Sequence, residues 1–473
     1  MKFVFFRKIL FLITLISSFS FFSYKSGQCT NSIVNKKNEK LCNNLSFFRK
    51  VNGYFDRGIY GANLALKNFK RLGHFSLTNR IINNWEKKRD RFADLGPGFT
   101  FYYDKNSRPS AGYILLAFSD PKKNGYPSVE IWDLNSQQLI HEYKFNYEEF
   151  KSYMGHSLQI ASPLLLDDGS IIFNTTRGAL LKADKCGNII KSNKETFFHH
   201  SIEEDIHGNI YIPTQVRSHN SDEKRNDFME DKITIIDQEL NIKNTISLID
   251  IYKNNDLFKD IYSKEITPKD PFHLNDIQPF INNQNDTLVL ISNRTDSKVM
   301  AIDLNKKKII WLLDRITAGQ HDIDIIDQQK DLIKISIFDN NMLMYKNPST
   351  EGNIYLELSN LPTVFDKETI FITPNKANQS YEIKQEKFLW LEEKLRPITK
   401  YQGQSEFIKA NNSVLIEENG QGRIFEYDIE KKEIIWEFIN KKDKNSPIFF
   451  TNWSRRLESL PGELKAEDFR FCL

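Results

Sequence analysis

From about residue 99 onward, short apolar runs alternate with turns rich in Asn, Asp, Gly and Lys. GYILLAF (112–118), GSIIFNT (169–175), GNIYIPT (208–214), DTLVLIS (286–292) and NSVLIEE (412–418) have strand length, and helical periodicity is scarce. Short apolar runs bounded by turn residues read as strands, and their regular spacing predicts a sandwich, barrel or propeller. A repeat narrows the choice. A strand ending near Asp, a polar turn and a strand with Ile recur as VEIWDLNSQQLIHEY (129–143), ALLKADKCGNIIKS (179–192), ITIIDQELNIKNTISL (233–248), VMAIDLNKKKIIWLL (299–313) and RIFEYDIEKKEIIWEF (423–438). Their aspartates, Asp133, Asp184, Asp237, Asp303 and Asp428, stand roughly 50–65 residues apart, with one gap of about twice that, close to one propeller blade per interval. The long gap predicts a degenerate blade at 340–380. The expected fold is all-β, a six-bladed β-propeller.

The first hundred residues read differently. Lys2, Arg7 and Lys8 flank an apolar run from Ile9 to Phe22, the charged and apolar regions of an export signal. The run is short for a full span, which needs about 20 apolar residues. SYKSGQC (23–29) matches a cleavage site poorly, so a cleaved signal and a retained short anchor are both open. Either puts the body outside the cytoplasm, in the periplasm or exported, free or attached to the inner membrane. Residues 23–50 read as a polar linker. In 51–95, Leu77, Ile81, Trp85 and Phe92 fall near one helical face, and Gly96-Pro97-Gly98 stops that helix. The expected organisation is a signal peptide or membrane anchor at 1–28, linker and helical segment at 29–98, propeller at 99–450 and a C-terminal tail at 451–473.

Composition adds exclusions. The balance of 65 basic and 62 acidic residues gives a net charge of +3, which argues against a nucleic-acid partner. No Gly-rich phosphate loop, CxxC pair or HExxH helix is present. The four cysteines, Cys29, Cys42, Cys186 and Cys472, allow three pairings; Cys29–Cys42 is the most plausible local bridge. None has metal-ligand spacing.

Chemistry concentrates between Asp270 and Asp322, in DPFHLNDIQPF (270–280), ISNRTDS (291–297) and GQHDID (319–324). A propeller presents residues from successive blades to one axial pocket, so His273, Asn275, Arg294 and His321 can converge there with a histidine of FHHSIEED (198–205). On an extended segment His273 and Asn275 point the same way. By the same alternation Asp322 points away from the side of His321. No carboxylate pair stands out as a metal or acid/base site. Arg294 offers a planar fork of donors for an oxyanion, Asn275 a neutral donor, and neutral imidazole a nucleophile or proton carrier. A transferring sulfuryl group carries less charge than a phosphoryl group, and one Arg with His and Asn donors could balance it without a metal. His74, His141, His156, His207 and His219 read as structural, and Arg294 or His199-His200 could also be structural.

At these residues the chain resembles the bacterial arylsulfotransferases (arylsulfate sulfotransferases of the exported, cofactor-independent kind). The resemblance rests on FHHSIEED with GNIYIPT, DPFHLND with LISNRTDS, GQHDID with ISIFDNN (335–341), and EENGQGRIFEYD (417–428) with IIWEF, and covers about residues 100–450. It implies a six-bladed propeller that moves a sulfuryl group from an aryl sulfate donor to a phenolic acceptor through a sulfohistidine, with no cofactor. Carried over, His321 in GQHD is the nucleophile. His273, Asn275 and Arg294 bind the sulfuryl oxygens and the reacting oxygen, and His200, favoured over His199, lines the channel. FHHSI has Ser201 where many relatives have an aspartate. Residues 340–410 show no repeat signature, and the N-terminal helical segment and the tail ending near Cys472 find no counterpart. Two rival readings stand beside this one. The first is a non-catalytic periplasmic propeller that binds a glycan, peptide or protein. The second is a metal-dependent hydrolase or lyase with His200, His273 and His321 as ligands. Donor, acceptor and oligomeric state are not legible in the sequence.

Overall fold

The five repeated aspartates occupy one structural position. In a computed structural model each closes the turn between the third and fourth strands of a four-stranded meander. Asp133 Oδ1 accepts from the backbone N–H of Asn135, Asp184 from Cys186 and Asn188, Asp237 from Glu239 and Asn241, Asp303 from Lys306, and Asp428 from Glu430 and Lys431, all at 2.9–3.0 Å. An aspartate that bonds the N–H groups two to four residues on fixes a tight turn in sequence alone, which is why the pattern repeats. The structure describes residues 92–472 except 93, 109–110, 154–158, 218–228, 258–269, 282–285, scattered positions between 315 and 331, and most of 341–401. These residues belong to one unit, Asn83–Leu473. The expected signal or anchor, linker and nearly all of the helical segment lie outside them.

The described chain is all-β, with two short α-helices, Tyr147–Lys151 and Leu248–Asn254. Every strand pairing is antiparallel. The first sheet is Tyr113–Asp120, Tyr126–Asp133 and Gln138–Glu142, with Arg455–Leu457 on its edge. The second runs from Ala161–Leu165 through Ile171–Asn174 and Gly178–Ala183 to Ile189–Phe198. The third holds Glu203–Glu204, Ile210–Arg217, Met229–Ile236 and Ile242–Ser247. These two are bridged where Phe198 pairs with Thr214. The fourth is Leu274–Ile281, Thr287–Asn293, Lys298–Asp303 and Lys308–Asp314. In the fifth, Ile323–Gln329 and Leu332–Asp339 carry Val364–Asp366, and Met342–Lys346 forms a separate hairpin with Asn353–Glu357. The sixth, Gln404–Ile408 to Glu433–Ile439, is completed by Gly98–Phe101. Residues from both ends of the described chain therefore join sheets built elsewhere, and the segment expected to trail after residue 450 supplies a strand.

Packing follows the same order. One apolar cluster lies between each sheet and the next: Leu115 and Val129 with Phe173, Ile172 with Ile212, Ile233 with Val289, Leu290 with Ile337, and Phe338 with Phe425. The last, Ile114 and Leu116 with Ile424 and Trp436, joins the sixth sheet to the first. The cycle buries both faces of the inner strands. That explains why Thr287–Asn293 reads as a nearly unbroken apolar run while Ile189–Phe198, on the periphery, alternates. Truncating such a core residue, Leu290→Ala for example, removes about 2–5 kcal/mol.

The first strands of consecutive sheets lie side by side: Arg455–Leu457 by Ala161–Leu165, Glu203–Glu204 by Leu274–Ile281, then Ile323–Gln329 and Gln404–Ile408. At or just before each one stands a residue with left-handed backbone: Trp453 (φ 53°), Ser162 (52°), His200 (60°), His273 (51°), Gly319 (66°) and Gln402 (57°). Non-glycine residues take that conformation only when their surroundings impose it. Here it bends the chain inward at corresponding points of all six sheets.

Candidate active site

Those bends deliver the histidines. His200 Nε2 lies 3.1 Å from His273 Nε2, the rings of His200 and His321 are 5.9 Å apart, and one nitrogen from each of the three falls within 4.8 Å of the others. Trp453 stacks on His200 at 5.7 Å. His199 does not join the cluster; its Nε2 sits 3.2 Å from Asp231 Oδ1, behind His200. Extended alternation is not what aims His273, because its φ of 51° breaks the strand just before Leu274.

His321 is held on both ring nitrogens. Asn340 Nδ2 donates to the carbonyls of Thr399 and Gln402, which turns its Oδ1 toward His321 Nδ1 at 2.7 Å. An amide oxygen only accepts, so Nδ1 carries the proton and Nε2 the lone pair. In this state Nε2 accepts from the Gln402 N–H at 3.2 Å. Gly403 makes that contact attainable. Its φ is +108°, and a Cβ there would collide with the Phe338 ring and Thr399. Burial first, then the charge of Arg294, holds the His321 imidazole well below its ordinary pKa, so it is neutral at pH 7.

Asn275 is fully buried, and its Nδ2 donates to Gln320 O at 2.7 Å. It thereby fixes the loop that carries His321, with one N–H left over. Gln320 Nε2 in turn donates to Asn293 O and Lys298 O. Arg294 is 7% exposed; its charge lowers the proton affinity of both His273 and His321, after burial. The structure thus brings together His200, His273, His321 and the field of Arg294, with Asn275 one step behind His321.

Several participants are not evident from isolated motifs. Asp270 Oδ2 is 2.6 Å from His273 Nδ1 and 2.8 Å from Arg177 Nη2, and its Oδ1 accepts from Gln215 Nε2 at 3.0 Å. Burial works against ionising Asp270, but His273 and Arg177 outweigh it and hold the carboxyl well below the usual range. Its neighbour Asp231 is pushed up by burial and by Asp270. The sequence singles out no carboxylate pair as a metal or acid/base site; in the structure a single carboxylate, Asp270, is paired to a site histidine. A signal was present. NTTR (174–177) and SNRT (292–295) each end the second strand of their sheet with asparagine, and in DNNM (339–342) that strand ends at Asp339 with Asn340 next. Arg177 and Asn340 lie in the counterparts of the segment that carries Arg294.

Behind this cluster is a second polar basin. A cavity of about 130 Å³ is lined by Glu203, Asp322, Asp324, Glu406 and Arg455, with Trp453 on its wall. Burial raises the carboxyls of Asp276 and Glu406 to about 7, and those of Asp322 and Asp324 well above the usual range. Asp322 accepts from Ser405 N at 2.8 Å, away from the His321 ring; the partner of that ring is Asn340.

Residues 162–441 match the family Arylsulfotransferase (ASST). The chain belongs to the arylsulfotransferase family. All of the site residues named above except Trp453 and Arg455 lie within the matched span. No curated protein matches this arylsulfotransferase-family chain. Solved structures similar to it include a protein of unknown function from Bacteroides caccae (11% identity, 69% of this chain and 93% of that one, TM-score 0.38). Others are the Cps50 (Swd1) β-propeller domain of Myceliophteria thermophila (10%, 71% and 88%, 0.36) and Kuenenia stuttgartiensis hydrazine synthase (12%, 64% and 71%, 0.33).

Proposed function

We propose that the chain is a six-bladed propeller that transfers a sulfuryl group from an aryl sulfate to a phenol, with His321 as the nucleophile and no cofactor. The six interlocked clusters, the last returning to the first sheet, support the ring. The observation that carries the reaction is the fixed tautomer of His321: a neutral, buried imidazole with Nδ1–H pinned by Asn340 and the Nε2 lone pair held only by the Gln402 backbone N–H. Substrate displaces the Gln402 N–H. His321 Nε2 forms the N–S bond as the S–O(aryl) bond breaks, and the phenol leaves with a proton. The acceptor oxygen then takes the sulfuryl group from nitrogen and its proton stays in the site. Arg294 balances the charge of the sulfuryl oxygens, the kind of preorganised electrostatic contribution that dominates such steps.

The three imidazole nitrogens within 4.8 Å could also hold a metal ion. The guanidinium charges of Arg177 and Arg294, both acting on His273, oppose a cation there and favour an oxyanion. Location outside the cytoplasm is part of the proposal, supported by the N-terminal charge pattern and by the disulfide at Cys186. The test is transfer from a nitrophenyl sulfate to a phenol with metal chelated. Phenol-dependent turnover and a sulfurylated His321 support the reading. A folded protein that needs added metal, or that turns over no aryl sulfate, overturns it.

A further inference from the structure

His321 and His273 are pinned in the same way by different chemistry. Each presents Nδ1–H to an oxygen and leaves Nε2 as the other nitrogen, but the oxygen belongs to the Asn340 amide at 2.7 Å in one case and to the Asp270 carboxylate at 2.6 Å in the other. A neutral amide fixes a tautomer and offers positive charge on the ring only a dipole. A carboxylate fixes the tautomer and adds the attraction of a full charge. The first arrangement suits a nucleophile that must keep its lone pair, and the second suits a group that gains and loses a proton.

We propose that Asp270, clamped by Arg177 and Gln215, is a positioning residue that makes His273 the acid–base group for the aryl oxygen. This rests on the sulfuryl-transfer reading. The clamp is complete on the carboxylate: Arg177 Nη2 and His273 Nδ1 share Oδ2, and Gln215 holds Oδ1. The backbone is fixed as well, since His273 N donates to Asp231 Oδ2 at 3.1 Å. His273 therefore has one ring orientation. Its Nε2 faces His200 Nε2 at 3.1 Å and is the nitrogen left to meet substrate. In the first half-reaction His273 enters with both ring nitrogens protonated, its Nε2 proton taken up from solvent as the anionic sulfate binds; His321 Nε2 bonds to sulfur, the S–O(aryl) bond breaks, and the aryl oxygen takes that proton, leaving the ring neutral. In the second, the acceptor hydroxyl gives its proton to His273 Nε2 as its oxygen bonds to sulfur and the N–S bond breaks. His273 gives up one proton in the first half and regains one in the second, so none is consumed.

The test uses the full chain and a series of aryl sulfates whose phenols span a wide range of acidity. Nitrophenolate leaves without help; phenolate and alkylphenolates need the proton. In Asp270→Asn the rate of His321 sulfurylation falls only about threefold with nitrophenyl sulfate but about 10²-fold or more with the least acidic phenols, so dependence on leaving-group acidity steepens. An equal loss across the series, with the slope of wild type, overturns the proposal while leaving sulfuryl transfer intact. Absence of transfer by wild type sinks the sulfuryl reading itself. Nitrogen-15 spectra of wild type supply a measurement independent of any variant's folding. His273 is expected as the Nδ1–H tautomer or the doubly protonated ring, and a neutral Nε2–H tautomer overturns the assignment.

Discussion

His321 and Asp322 are neighbours in sequence and belong to two different basins. His321 faces His200, Asn340 and the Gln402 N–H, while Asp322 lines the carboxylate cavity with Glu203, Asp324 and Glu406. Trp453 borders both, stacked on His200 and on the wall of the cavity. Burial acts on the two in the same sense: it disfavours charge, lowering imidazoles and raising carboxyls. The outcomes differ because of fixed charge. The imidazole basin retains Arg177, Arg294 and an ionised Asp270, so it can receive an anion and move a proton. In the carboxylate basin the fixed charge is Arg455, paired with Glu203 at 3.0 Å, and carboxyls of raised pKa gather around it. Similar depth yields a basin of ionised groups where charge is held by geometry, and a proton-holding basin where it is not.

The hardest test of that contrast is His321→Ala. Transfer is expected to fall by about 10⁴-fold or more with thermal unfolding close to wild type, because the ring's hydrogen bonds, to Asn340 and Gln402, lie in the site and not in an apolar cluster. Retention of more than a tenth of the activity in steady-state assays would move the nucleophile elsewhere. Arg294→Ala follows, with a loss of about 10²–10³-fold in kcat/KM. If the arginine served structure alone, stability would drop and activity per folded molecule would hold. Asn340→Ala comes next, at about 10–100-fold in kcat, since His321 is then free to adopt either tautomer; an unchanged rate would show that the pinning is dispensable.

Sequence carried the architecture further than the site. The Asp-closed turns repeat because each is a local device, complete within five residues, and so they marked five of the meanders. The residues that enter the site do so through left-handed bends at His200, His273 and Gln402, which local pattern does not announce in non-glycine residues. His273 and Asn275 were expected on one side of a strand; the bend at His273 removes that logic, and Asn275 turns to Gln320 instead. Arg177 comes from a different sheet than His273, and Asn340, though beside the His321 strand, is set by Gln402; these roles depend on pairings across 93 and 62 residues. A single chain read alone gives no reason to choose them, although the Asn that ends two of the second strands was visible. The carboxylates of the cavity are scattered over three sheets, each one unremarkable in its own turn or strand.

The smallest effect tests the second basin by itself. Burial raises the Glu406 carboxyl from 4.5 to about 7, against the pull of Arg455 and Arg456. Native Glu406 therefore holds a proton that the unfolded chain has released between those two values. Stability rises with pH only where the unfolded state binds more protons, and here the native state binds more, so this group's contribution falls as pH climbs from 4.5 to about 7. Below that window the contribution is neutral, and above it the penalty is full. Glu406→Gln keeps an oxygen to accept from Arg456 N, now at 3.1 Å, and carries no charge at any pH. Its unfolding temperature should match wild type near pH 4.5 and exceed it by about 2 °C at pH 7.5, with aryl-sulfate transfer within about twofold of wild type because the imidazole basin is untouched. Thermal unfolding measured across that range decides it. Parallel curves would mean that Glu406 is ionised throughout and the basin holds charge after all. A matching loss of activity would mean that the two basins are coupled through Trp453.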